Sequence, residues 1–163
     1  MKTIILKLLI IIPFFLIISC DKPKDKLEQK NEYWDEIQLI TRNQKIIIYN
    51  ENDTASFENE IFKKVSGNYS SAIYKFEKID KKSFSLNRNE RDSLYKYTKA
   101  IITKPVFTDR ASTDYAGYVL IKLRDRHTTL MCEYKSVGEW STVSEETKNI
   151  YNLLKTKIDV AKQ

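Results

Sequence analysis

Apolar residues alternate over two hairpin-like stretches, 32–50 and 115–134, while helical periodicity marks 87–105 and the region from about Ser144. Together these predict an α+β fold: an antiparallel sheet of about five strands with two or three helices packed on one face. Adjacent hairpins, rather than strands alternating regularly with helices, argue against the βαβ succession of a parallel sheet. A chain of 163 residues suits one domain with a respectable core better than two.

Glu32 to Asn50 reads as the first hairpin. Ile37, Leu39 and Thr41 alternate, Arg42-Asn43-Gln44 supplies a turn, and Ile46 to Tyr49 is an apolar run expected to be buried on both faces. Asn52 to Gly67 is ambiguous. Phe57, Ile61, Phe62 and Val65 fall on a helical face with Gly67 as a stop, which favours a short helix. The same residues also suit a strand that turns back through Ser66-Gly67-Asn68. Ala72, Tyr74 and Phe76 alternate with Ile73, Lys75 and Glu77, as in a strand with one wet face.

The central helix is better marked. Asn87 and Glu90 have capping-box spacing, Leu94, Tyr97, Thr98, Ile101 and Ile102 share a face, and Pro105 ends the element. In the second hairpin, Tyr115 to Arg124 and Thr128 to Tyr134 flank Asp125-Arg126-His127. Val119, Ile121 and Leu123 are expected in the core, with Leu130, Cys132 and Tyr134 across from them. The last helix carries Ile150 and Leu154 on its inner stripe. Its cap is Ser144, or Thr142 paired with Glu145.

The N-terminal segment is of a different kind. Lys2 and Lys7 precede an apolar run, Leu8 to Ile18, broken only by Pro13 and followed by Ser19-Cys20. The run is shorter than the roughly 20 apolar residues that cross a bilayer, and it fits a secretory h-region. Ile17-Ile18-Ser19-Cys20 resembles the lipobox of bacterial lipoproteins. That resemblance covers residues 1–20 alone. It implies a signal peptide over 1–19 that is removed, and a lipid on Cys20. Residues 20–31 are then the lipidated cysteine and a charged tether, and 32–163 are the domain. The ten tether residues Asp21 to Lys30 span about 17–19 Å as a flexible chain. The resemblance places the protein in the bacterial cell envelope, at the outer membrane or the outer face of the inner membrane.

Composition narrows the function classes. Loss of Lys2 and Lys7 with the leader lowers the formal net charge of +6 by two, and the remaining lysines are interspersed with acids. With no arginine–lysine stripe interleaved with aromatics, nucleic acid is not an expected partner. Three glycines leave no glycine-rich phosphate loop. With Cys20 committed to lipid, Cys132 has no cysteine to pair with inside the chain and reads as a small buried hydrophobe.

The chemistry-bearing positions are few. His127 is the sole histidine and lies in a turn, where we read it as solvated. One histidine and one distant cysteine do not make a zinc ligand set, so neither metal nor cofactor is expected. The loop Asp109-Arg110-Ala111-Ser112-Thr113-Asp114-Tyr115 is the most suggestive polar segment. Its carboxylates are expected chiefly to shape turns. Trp140 either covers the edge of the core or, with Tyr115 and Tyr118, forms a partner surface. Lacking a nucleophile constellation, the domain is expected to be a non-enzymatic binding or inhibitory module with a protein partner in the envelope. The alternative is a carboxylate-dependent envelope hydrolase using Asp109, Asp114 and Glu133. These would then have to converge in one pocket.

Overall fold

Period-two burial along the strands builds one core-facing side of a sheet. The structure, a computed structural model, describes residues 33–67, 72–106 and 117–162. These contain β1 (Glu36–Thr41), β2 (Gln44–Tyr49), β3 (Thr54–Ser66), β4 (Ile73–Ser85), α1 (Arg88–Thr103), β5 (Gly117–Asp125) and β6 (Thr128–Val137). A single 3-10 turn at Trp140–Thr142 leads into α2 (Glu145–Leu154). The strands form one six-stranded sheet in the order β4-β3-β2-β1-β5-β6, with every neighbouring pair antiparallel. The fold is therefore mixed α+β, with six strands where about five were expected.

Register explains which side chains meet. Leu39 stands opposite Ile46 on one side and Ile121 on the other, and Ile121 stands opposite Cys132. All four are buried, as are Ile37, Ile48, Phe57, Val119 and Leu123. They form one core cluster with Leu94 and Ile101 of α1 and with Ile150 and Leu154 of α2. Trp34 joins it just before β1, its ring stacked on Tyr95 of α1 at 5.7 Å. Each fully buried leucine or isoleucine contributes about 1.5–3 kcal/mol relative to exposure, so this cluster is the main source of stability.

Both helix starts follow from their sequence. The Asn87 side chain accepts from the Glu90 amide at 3.0 Å, while the Glu90 carboxylate accepts from the Asn87 amide at 2.8 Å. Ser144 and Thr147 make the equivalent reciprocal pair at α2. Each exchange satisfies donors that the first helical turn otherwise leaves open.

Three expectations need correction. The segment expected as a short helix, within 52–67, is strand β3, because it pairs with β4 from Thr54 to Ser66 and with β2 from Ser56 to Asn59. Its apolar residues satisfy a helical spacing and a strand alternation about equally, and pairing partners decide between them. Strand β2 is buried on one face only, with Ile46 and Ile48 inside and Ile47 half-buried. Leu130 is 45% exposed although it stands opposite buried Leu123, since β6 is an edge strand and its outer end lies at the rim of the core.

Candidate functional site

Two surfaces on the described residues concentrate chemistry. The first is a cleft of about 610 Å³ at one end of the sheet, lined by Tyr33, Asp35, Tyr49, Glu51, Asn52, Arg124 and Arg126. Antiparallel pairing brings the start of β1, the end of β2 and the β5–β6 turn to this end. Its polar groups are largely committed to one another. Asp35 accepts from the Arg126 amide at 2.6 Å, and its own backbone bonds Arg124 and Asn50. Arg124 pairs with the buried Glu36 carboxylate at 3.1 Å. The Arg126 guanidinium lies 5.0 Å from the Tyr33 ring centre, and Asn52 accepts from the Thr54 amide at 2.9 Å. The Asp35 carboxylate beside it raises Tyr33 above the ordinary tyrosine value of 10.0. Arg126 takes a positive φ of 46°, which Asp35 holds by bonding its amide. The cleft thus works as a clasp that pins strand ends.

The second surface is a projecting ribbon. Strand β2 pairs with β3 only from Ser56 to Asn59, and the Glu60 amide then bonds the Asn43 carbonyl. Beyond that point β3 and β4 continue with no further strand beside them among the described residues. At about 3.3 Å per residue, Ile61–Ser66 extends about 20 Å past the sheet. Apolar side chains are nonetheless abundant here: Val65, Ile73 and Tyr74 are each 61% exposed, and Phe62, Phe76 and Ile79 are exposed as well. Phe62 stands opposite Phe76, and their rings meet edge to face at 6.0 Å. Lys64 stands opposite Tyr74, so strand alternation puts these four side chains on one face.

The ribbon is also basic and irregular. Lys63 stands opposite Lys75 on the other face, and Lys78 opposite Ile61. Among the described residues, Lys63, Lys75 and Lys78 form no ion pair, whereas Lys81 reaches Glu58 at 2.7 Å nearer the sheet. The register shifts between Ile61 and Phe62 and again between Lys64 and Ser66. Such irregularities, with lysines along an edge, discourage another chain from adding as a strand. What the ribbon offers is therefore side chains, not backbone.

The positions singled out from sequence separate. Cys20, Asp109, Asp114 and Tyr115 lie outside the described residues. Tyr118 is half-buried on β5, where burial, followed by the charge of Glu133, raises its hydroxyl above 10.0. Glu133 pairs with Lys135 at 3.1 Å on β6. His127 is exposed in the β5–β6 turn, and Cys132 is a buried free thiol. Trp140 corrects its place in a partner surface. It is 0% exposed, donates its indole N–H to the Ala161 carbonyl at 2.7 Å, and packs edge-on against Tyr151 at 5.7 Å. Of its two sequence readings, covering the core is the one the fold adopts, despite the polar neighbours Gly138, Glu139 and Ser141. The hairpin through Ser66-Gly67-Asn68 is one of the two readings the sequence leaves open, but its projection is not legible, because nothing in a local sequence says that β2 stops while β3 continues. The available signal was the persistence of lysine inside an apolar alternation from Phe62 to Ile79.

No family model, no curated protein and no solved structure matches this chain. Among the described residues, no helix is long and apolar enough to cross a membrane, and no three His, Cys, Asp or Glu side chains cluster as metal ligands would.

Proposed function

We propose that this chain is a lipid-anchored binding module of the bacterial envelope, held through Cys20 and engaging its target through the β3–β4 ribbon. The observation that carries the reading is the ribbon's exposed apolar face, Phe62, Tyr74 and Phe76, standing clear of the sheet. Large apolar side chains exposed together on a projecting element mark interaction surfaces far more often than isolated ones do. The cleft supports binding less well, because its arginines and Asp35 already have partners within the fold. The anchor rests on the lipobox-like Ile17-Ile18-Ser19-Cys20.

A photo-crosslinking residue placed at Phe76 in living cells tests the docking element, with exposed Lys96 on α1 as the control position. A defined adduct from position 76 that position 96 does not give is the expected result. Equal, diffuse labelling from both positions would remove the ribbon from consideration. The anchor is tested separately: Cys20→Ser is expected to abolish fatty-acid labelling, and persistent labelling would show that the lipid is elsewhere.

A further inference from the structure

We propose that the ribbon docks on the surface of a bilayer containing anionic lipid, making a second membrane contact distinct from any anchor. The inference rests on the reading of the ribbon as the docking element and adds the chemistry of what it meets. From its outermost described pair inward, the ribbon presents Ser66 opposite Ile73 with Val65 next to them, then Tyr74 opposite Lys64, then the opposed Lys63 and Lys75, then the Phe62–Phe76 pair. With Phe62, Tyr74 and Phe76 on one face and Lys63 and Lys75 on the other, the ribbon is an amphipathic element suited to lie in the plane of a bilayer interface. Apolar groups enter the acyl boundary there, aromatic rings sit at headgroup depth, and lysine stems carry their charge out to phosphates.

Charge points to the same occupant. Directly opposed like charges on neighbouring strands are destabilising, yet Lys63 faces Lys75, and neither has a carboxylate partner among the described residues. Anionic headgroups would relieve that repulsion, whereas a second copy of the ribbon would add to it. The register shifts and the lysines disfavour strand addition by a protein partner. Juxtamembrane lysines near anionic lipid each strengthen attachment by a factor of about five.

The test uses the full chain carrying Phe76→Trp, reconstituted with vesicles of phosphatidylcholine alone or with about one-third phosphatidylglycerol. Brominated acyl chains quench an indole that reaches them. Trp34 and Trp140 are buried in the core and give a constant background. The added indole is expected to be quenched strongly in the phosphatidylglycerol vesicles and weakly in phosphatidylcholine alone. In the same background, Lys63→Glu with Lys75→Glu should abolish the difference while leaving the near-ultraviolet circular dichroism of the core unchanged. Equal quenching in both compositions would overturn recognition of anionic lipid. Absence of quenching combined with a specific protein adduct at position 76 would overturn the lipid inference and leave the docking element standing. Absence of both would remove the docking element as well.

Discussion

Individual side chains in this core differ in what they have at stake. Trp140 combines full burial with a satisfied indole N–H. Trp140→Ala should therefore cost about 3–5 kcal/mol, as large aromatic truncations do, measured by urea unfolding. Thr98 is the opposite case. It is 0% exposed, and its hydroxyl has no hydrogen-bond partner among the described residues. Thr98→Val keeps the shape and removes a desolvated polar group, so it should leave stability unchanged or raise it by about 1 kcal/mol. A loss comparable to that of Trp140→Ala would mean that the hydroxyl has a partner. Tyr134 makes stability depend on alkaline pH. Burial, with the nearby Cys132 adding to it, pushes its hydroxyl up to about 12 from 10.0. An unfolded chain ionises this group first, so its contribution is fully present below pH 10.0 and is lost as pH rises toward 12. In Tyr134→Phe the fall in stability across that window should be shallower.

Elements carry their own vulnerabilities, mostly at their ends and crossings. The Asn87 cap of α1 should be worth about 0.5–2 kcal/mol, read from Asn87→Ala. Its partner Glu90 also bonds Lys157 at 2.9 Å, tying α1 to the chain that follows α2. That bond, aided by the Asn87 amide, holds the Glu90 carboxyl below its ordinary 4.5. A depressed carboxyl stabilises the fold above the unfolded value and ceases to do so as pH falls through the folded one. Glu90→Gln should accordingly flatten the acid side of the stability profile below about pH 4.5. Gly117 starts β5 where the backbone of β6 crowds it. A Cβ there would lie 2.2 Å from the Val137 carbonyl oxygen. Gly117→Ala must push the two strands apart at their register shift, at a cost of about 1–3 kcal/mol.

At the scale of the whole molecule, stability and docking occupy different parts of the same sheet. Ala55, Phe57 and Phe84 bury the base of β3 and β4 in the core, while the far halves of both strands contact mainly each other and solvent. Ile61 stands opposite Lys78. Replacing residues 62–77 with an Asn-Gly turn should close the hairpin at that pair. Cooperative urea unfolding should persist, with stability changed by less than about 1 kcal/mol, because exposed cross-strand pairs contribute little. Adducts at the ribbon should disappear with it. A collapse of cooperativity would instead show the ribbon to be part of the folding unit.

How much of this was legible in the chain depended on range. Local chemistry set both helix caps, the second hairpin and the solvated turn at His127, because each is decided by residues within a few positions. The burial of Cys132 was legible too, from its place in an alternating strand. The identity of β3 was not, since its helical and strand patterns differ little until β2 and β4 supply hydrogen bonds. Trp140 likewise owes its burial to Ala161 and Tyr151, which the chain brings back from beyond α2. The ribbon depends on a difference in length between β2, six residues, and β3, thirteen. Sequence alone determined where apolar side chains alternate and where the two capped helices begin. Only tertiary pairing decided which alternations are covered and which are left facing outward, because burial belongs to neighbours in space and not to neighbours in the chain.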